Sequence, residues 1–235
     1  MHRRWRLRLA AYFLLLIVVG VVVAWQWTRM DPSWYRPPDP GQVQVQNSAQ
    51  GMEMRLMEEA HQIRPVEEDW TEEVEEAEAN AWLAARLGDW LANRGRRWPD
   101  ELGLPQVKFE ENLISVALDA GPHTGGRVIT ARVQPEMVEG RLRFQLDGVG
   151  IGRVPVPGDP AEKLLELARR FGPDDSEGME AISEIMDVLT GRTSVDPVFE
   201  LADGRRVRLR DLRSSDGRVG LTSRTLGRAD DEPDG

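Results

Sequence analysis

The chain has no cysteine, only two lysines (Lys108 and Lys163) and only three histidines (His2, His61 and His123). Without thiols there is neither a disulfide framework nor a thiolate metal site, so whatever folds here rests on an ordinary apolar core. A metal centre would need His61 and His123 to meet a carboxylate from separate elements, and no spacing in the chain prepares for that. No serine stands in a G-x-S-x-G elbow: Ser115 falls in a strand pattern and Ser183 in a helix pattern. Among 40 acidic residues no single carboxylate pair stands out. With no acid, base and nucleophile set in view, the chain reads as a protein that is not an enzyme and takes no cofactor or metal. The scarcity of lysine leaves 28 arginines, which reads as coding bias and not as phosphate recognition.

What is present begins with residues 9–27, LAAYFLLLIVVGVVVAWQW, a stretch without one charge. As a helix it reaches roughly 28 Å, close to the hydrocarbon thickness of a bilayer. Eleven of its residues are Leu, Ile, Phe or Val, which favours insertion by roughly 3 to 7 kcal/mol. Arg3, Arg4, Arg6 and Arg8 precede it, whereas Arg29 and Arg36 follow beside Asp31, so the basic bias keeps the N-terminus in the cytoplasm and sends the rest outside. Trp5, Tyr12, Trp25 and Trp27 suit the two interfacial belts. A cleavable signal peptide, cut after Ala24, is the competing reading.

Residues 1–30 hold five arginines and no acid, so residues 31–235 carry 25 basic against 40 acidic side chains, a net charge of −15. Such a surface repels nucleic acid and anionic headgroups. About 200 residues outside the span suffice for one domain. Residues 31–50, with four prolines and a Gln-rich run, read as an extended stalk, with the Val43/Val45 alternation as an alternative edge strand. A short amphipathic helix is expected over residues 52–63, and a long one over 71–94, capped by Thr71, with acidic residues crowding its positive end. Asn80 lies on the inward stripe of that helix, where a buried amide must hydrogen-bond backbone from an adjoining strand or loop.

After Trp98 and Pro99 the apolar period falls to two. Val107 and Phe109, then Ile114, Val116 and Leu118, then Ile129, Ala131 and Val133, then Leu142, Phe144 and Leu146 predict four consecutive antiparallel strands. Gly148, Gly150 and Gly152 resemble a phosphate loop only superficially. No Lys-Ser/Thr follows, and Pro155 and Pro157 block the helix a dinucleotide fingerprint requires, so these glycines are expected to let a strand bend or approach another backbone. Asp159-Pro160-Ala161-Glu162 opens a helix through Phe171, and Met179, Ile182, Ile185, Met186 and Leu189 form a second stripe stopped by Gly191. Asp203-Gly204 and Asp216-Gly217 signal two final hairpins.

Asn80-Ala81-Trp82-Leu83, the V-x-F strand after it and the G-x-G-x-V-P-V-P run, with Gly152, Pro155 and Pro157, resemble the YpmS-like family of uncharacterised membrane-anchored bacterial proteins over about residues 70–170. The resemblance implies one N-terminal span and an outer α+β domain with helices on a curved antiparallel sheet, and it carries over no catalytic residue. The sequence therefore predicts a cytoplasmic tip and transmembrane anchor (1–30), a stalk (31–50), an extracytoplasmic α+β domain (51–228) and an acidic tail (229–235). Two functions follow. One is a groove lined by Ile114, Val116, Phe144, Ile182 and Met186 that holds an apolar or lipid-like ligand. The alternative is an envelope scaffold that docks another protein through its helices.

Overall fold

The structure, a computed structural model, describes residues 16, 17, 19, 20, 22, 23, 25–122, 125–171, 186–201 and 203–228. The elements run α1 (Val43–His61), β1 (Asp69–Glu75), α2 (Glu76–Ala85), α3 (Leu87–Ala92), β2 (Gln106–Glu110), β3 (Leu113–Asp119), β4 (Val128–Val138), β5 (Arg141–Ile151), β6 (Val154–Pro155), α4 (Pro160–Phe171), β7 (Val198–Glu200), β8 (Arg205–Ser215) and β9 (Arg218–Arg228). The domain is α+β with curved antiparallel sheets, and there are two of them. One has the order β1-β9-β8-β7 and the other β2-β3-β4-β5-β6.

The four consecutive strands and the C-terminal hairpins fall where the period of two places them. Asp159 caps α4 through its carboxylate, which accepts the Glu162 N–H at 2.9 Å. Residues 179–185 of the expected second stripe, His123 and the 229–235 tail lie outside the described residues. Of residues 9–27, ten lie outside them too; the other nine are helical and largely exposed. Among the described residues no helix is long and apolar enough to cross a membrane.

Three expectations are corrected. Residues 31–50 are not an extended stalk, and Val43 and Val45 are not in a strand: α1 begins at Val43. Val45, Ala49, Met52 and Leu56 follow the i, i+4, i+7, i+11 spacing of one helix face, and Ala49 is fully buried. Thr71 does not cap a helix, because residues 69–75 form β1, antiparallel to β9. The acidic run there is matched across strands, not by a helix dipole: Arg224 pairs with Asp69 and Glu67, and Arg218 with Glu73. The helix starts at Glu76 with Glu75 and Glu78 as its capping box, and it breaks at Arg86. Third, the strands make two sheets in place of the one curved sheet expected.

The sheets are held together at their ends. The buried Ser214 of β8 donates to the carbonyls of Glu110 and Leu113, while its own carbonyl accepts the Asn112 N–H at 2.9 Å. Two apolar clusters fill the interior. Met52, Val74, Phe109 and Val219 join α1, β1, β2 and β9. Ala131, Val149, Leu164, Leu167 and Met186 join α4 and the segment around Met186 to β4 and β5.

Asn80 closes the open edge of the five-stranded sheet. Its buried amide donates to the Val107 carbonyl and accepts the Val107 N–H, both at 2.8 Å. The Glu76 carboxylate accepts the next outward N–H, that of Phe109, at 2.7 Å. Side chains of α2 thus satisfy backbone that an edge strand would otherwise present for pairing. Trp82, on the same helix, donates from Nε1 to Glu53 of α1 at 2.8 Å and meets Trp90 edge-on with ring centroids 6.3 Å apart.

Candidate functional site

Of the residues expected to line an apolar groove, Ile114, Val116 and, past the register shift at Arg132/Val133, Phe144 lie on one face of the five-stranded sheet, and Met186 packs against Ala131 and Val149 of that face. Ile114 packs on the Phe109 cluster and Met186 is buried in the Ala131 cluster. Val116 stands half-buried on β3 between Val107 and Ala131, and Phe144 stands half-buried on β5 opposite Pro135. Ile182 lies outside the described residues.

The opposite face of the same sheet carries a more distinctive arrangement. The strand register places Gln106, Ala117, Thr130 and Gly150 in one row across it, and Lys108, Ser115, Arg132 and Gly148 in the next. Alternate residues of a strand share a face, so Gly148 and Gly150 leave β5 bare on this side. Neighbours occupy the space. A Cβ on Gly148 would stand 2.9 Å from Arg132 Nη2, and one on Gly150 would stand 2.5 Å from Thr130 Oγ1. The G-x-G-x-G run is thus a smooth strip of sheet that admits a guanidinium and a hydroxyl from β4.

The third glycine does something else. Gly152 and Arg153 form the tight turn from β5 to β6, and Gly152 takes a φ of +58° that side chains other than glycine rarely adopt. A Cβ here would stand 2.6 to 2.8 Å from the carbonyl oxygens of Thr28, Trp27 and Met30. Arg153 N–H donates to the Trp27 carbonyl at 3.2 Å, and Arg153 Nε donates to the Asp31 carbonyl at 2.9 Å. Carbonyls at a helix C-terminus have no partner within the helix. The turn supplies donors to the end of the 25–27 helical segment and to the chain just after it.

Beyond Asp31 the chain crosses the polar face of the sheet. The buried Gln106 side chain donates to the Trp34 carbonyl at 2.9 Å and accepts the Arg36 N–H. Tyr35 OH donates to the Leu104 carbonyl at 2.9 Å and accepts the Asp119 N–H at 3.1 Å. Burial, outweighing the Asp119 hydrogen bond, raises the Tyr35 pKa above its ordinary value of 10.0.

Between this crossing segment and the sheet lies a cleft of about 310 Å³, lined by Pro32, Ser33, Trp34, Ser115, Thr130, Arg132, Gly152 and Arg153. Two arginines and three hydroxyl groups face it, and no carboxylate is in its lining among the described residues. Arg132 has an ion pair with Asp147 at 2.8 Å; Arg153 has no carboxylate partner among the described residues. Ser115 donates to Glu110, which also accepts from Lys108 at 2.7 Å. The Lys108 hydrogen bond, then Ser115 and the charges of Lys108 and Arg132, hold the Glu110 carboxyl below its ordinary value against a smaller effect of burial. Among the described residues no group of three His, Asp or Glu side chains is placed to hold a metal ion.

Sequence reasoning passed over Arg132, Arg153 and Thr130, and weighed Ser115 only as a nucleophile. The signal that would have found them is the period-two glycine run, which marks one bare face of a strand. No protein-family model matches the chain, and no curated protein or solved structure is significantly similar to it.

Proposed function

We propose that this chain is a single-pass protein of the cytoplasmic membrane whose α+β domain stands outside the cytoplasm as a non-enzymatic binding module for a lipid-like envelope ligand. One observation carries the reading: the Gly152-Arg153 turn is fitted to the backbone that follows Trp27, the last residue of the uncharged 9–27 stretch. A domain carried passively on a tether needs no such fit. Trp25 and Trp27 expose about half their surface, and the Arg29 guanidinium lies 3.9 Å over the Trp25 ring, which suits an interfacial belt.

The scaffold alternative has its own observation. Met54 and Met57, one turn apart on α1, are each 61% exposed, an apolar pair that a partner protein would cover, and Ile63 just beyond the helix is 95% exposed. Topology is tested with reporter enzymes joined to the C-terminus of the full chain. A reporter active only outside the cytoplasm gives signal, and signal from a cytoplasm-only reporter contradicts the reading. Lipid-like cargo is tested by extracting the purified full chain with organic solvent, and a clean extract favours the scaffold.

A further inference from the structure

We propose that the cleft between residues 32–34 and the polar face of the five-stranded sheet binds the phosphate of an anionic phospholipid headgroup through Arg132 and Arg153. This deepens the membrane-module reading and rests on it.

The donors come first. A guanidinium carries five N–H groups in a planar fork that suits phosphate oxygens. The ion pair of Arg132 with Asp147 and the single bond of Arg153 to the Asp31 carbonyl leave most of those donors for a ligand. Ser33 and Thr130 add hydroxyls that donate to the same kind of oxygen.

Space comes second. About 310 Å³ accommodates a headgroup but not a pair of acyl chains. The strip left bare by Gly148 and Gly150 is what brings the Arg132 guanidinium and Thr130 down to the sheet surface. Any side chain at either glycine would displace them.

Position decides the source of the phosphate. Gly152 and Arg153 contact the backbone of Trp27, Thr28 and Asp31, and Pro32 to Trp34 are among the first residues beyond the apolar stretch. With residues 9–27 across the hydrocarbon, these groups lie at headgroup depth. The domain's net charge of −15 works against anionic lipid at large. Screening over about 8 Å at physiological salt confines that repulsion, so a local pair of arginines can still select phosphate. Asp147, Glu110 and Asp31 are opposing charges near the cleft; Glu110 is already engaged by Lys108 and Ser115, and Arg153 bonds the Asp31 backbone.

The test uses the full chain in dodecyl maltoside micelles with dioleoylphosphatidylglycerol or dioleoylphosphatidylcholine, read by native mass spectrometry. We expect retained phosphatidylglycerol to exceed phosphatidylcholine, whose choline ammonium the two arginines repel. Arg132→Gln with Arg153→Gln should lower phosphatidylglycerol retention at least about fivefold, the paired Lys substitutions should restore part of it, and Asp147→Asn should raise it. Circular dichroism checks each fold, and the single Arg153→Gln variant at an exposed position serves if the double variant is misfolded. Equal retention by wild type and Arg153→Gln overturns the proposal. So does inorganic phosphate that displaces the lipid completely, since the site then serves a soluble anion. A chain that remains in the membrane fraction but shows no arginine dependence fails the cleft alone. A chain that leaves the membrane fraction fails the tethered reading beneath it.

Discussion

Replacing Asn80 by Leu removes both hydrogen bonds to Val107 while keeping the branched shape and the number of side-chain heavy atoms. Asn80 is 4% exposed, and its two bonds are 2.8 Å long. Each backbone group left without a partner costs about 1 to 3 kcal/mol, and the half-buried Val107 places both near the lower end, for a total of about 2 to 4 kcal/mol. With a urea dependence of about 2 kcal/mol per molar, the unfolding midpoint should fall by roughly 1 to 2 M at constant slope. Asn80→Asp retains the acceptor for the Val107 N–H but sets a buried carboxylate oxygen against the Val107 carbonyl, so its midpoint should also fall below that of wild type. The fragment used should begin at Asp31, because Ala49 is fully buried and residues 34–36 are bound to Gln106. An unchanged midpoint for Asn80→Leu would refute the idea that this amide closes the sheet edge.

Other outcomes follow from the same contacts. Gln106→Leu should loosen residues 34 and 36, leaving Tyr35 held by Leu104 and Asp119, and reduce stability by about 1 to 2 kcal/mol, with proteolysis appearing first between Asp31 and Gly41. Glu110 has a folded pKa below its ordinary 4.5, so its contribution is full above that value and is lost as pH falls through the lowered one; Lys108→Met should raise the Glu110 pKa in a carboxyl NMR titration and reduce acid sensitivity below pH 4.5. Arg224 holds Asp69 below its ordinary pKa by direct hydrogen bonds, so Arg224→Gln should return Asp69 towards 3.8 in the same experiment.

Much of the fold was legible in the residues because the signals were local. The four strands from Val107 to Leu146 and the Asp159 cap each depend on neighbours in sequence. Residues 69–75 were not legible. DWTEEVE is rich in Glu, a good helix former, and its β-pairing partner is β9, about 150 residues away. Tertiary pairing and the arginines of β9 override the local preference. The α1 stripe was visible in principle, but the prolines and glutamines before it resemble a linker, and the pattern emerges only when Val45 is joined to Ala49, Met52 and Leu56. For the site, the apolar residues of one sheet face carried no mark to distinguish groove from packed core. The glycines at 148, 150 and 152 did carry a mark, a period of two, whose meaning depended on Arg132, Thr130 and the backbone around Thr28.

The central claim is that the domain is fixed on the end of the N-terminal helix instead of swinging from a stalk. Because the chain has no cysteine, Gln26→Cys with Gln145→Cys gives two unique nitroxide sites, both exposed. Pulsed dipolar spectroscopy of the full chain in lipid nanodiscs should give one narrow distance distribution, and Gly152→Val, whose added atoms collide with the carbonyls of Thr28, Trp27 and Met30, should broaden it. A distribution already broad in the wild type, and unchanged by Gly152→Val, would contradict the account.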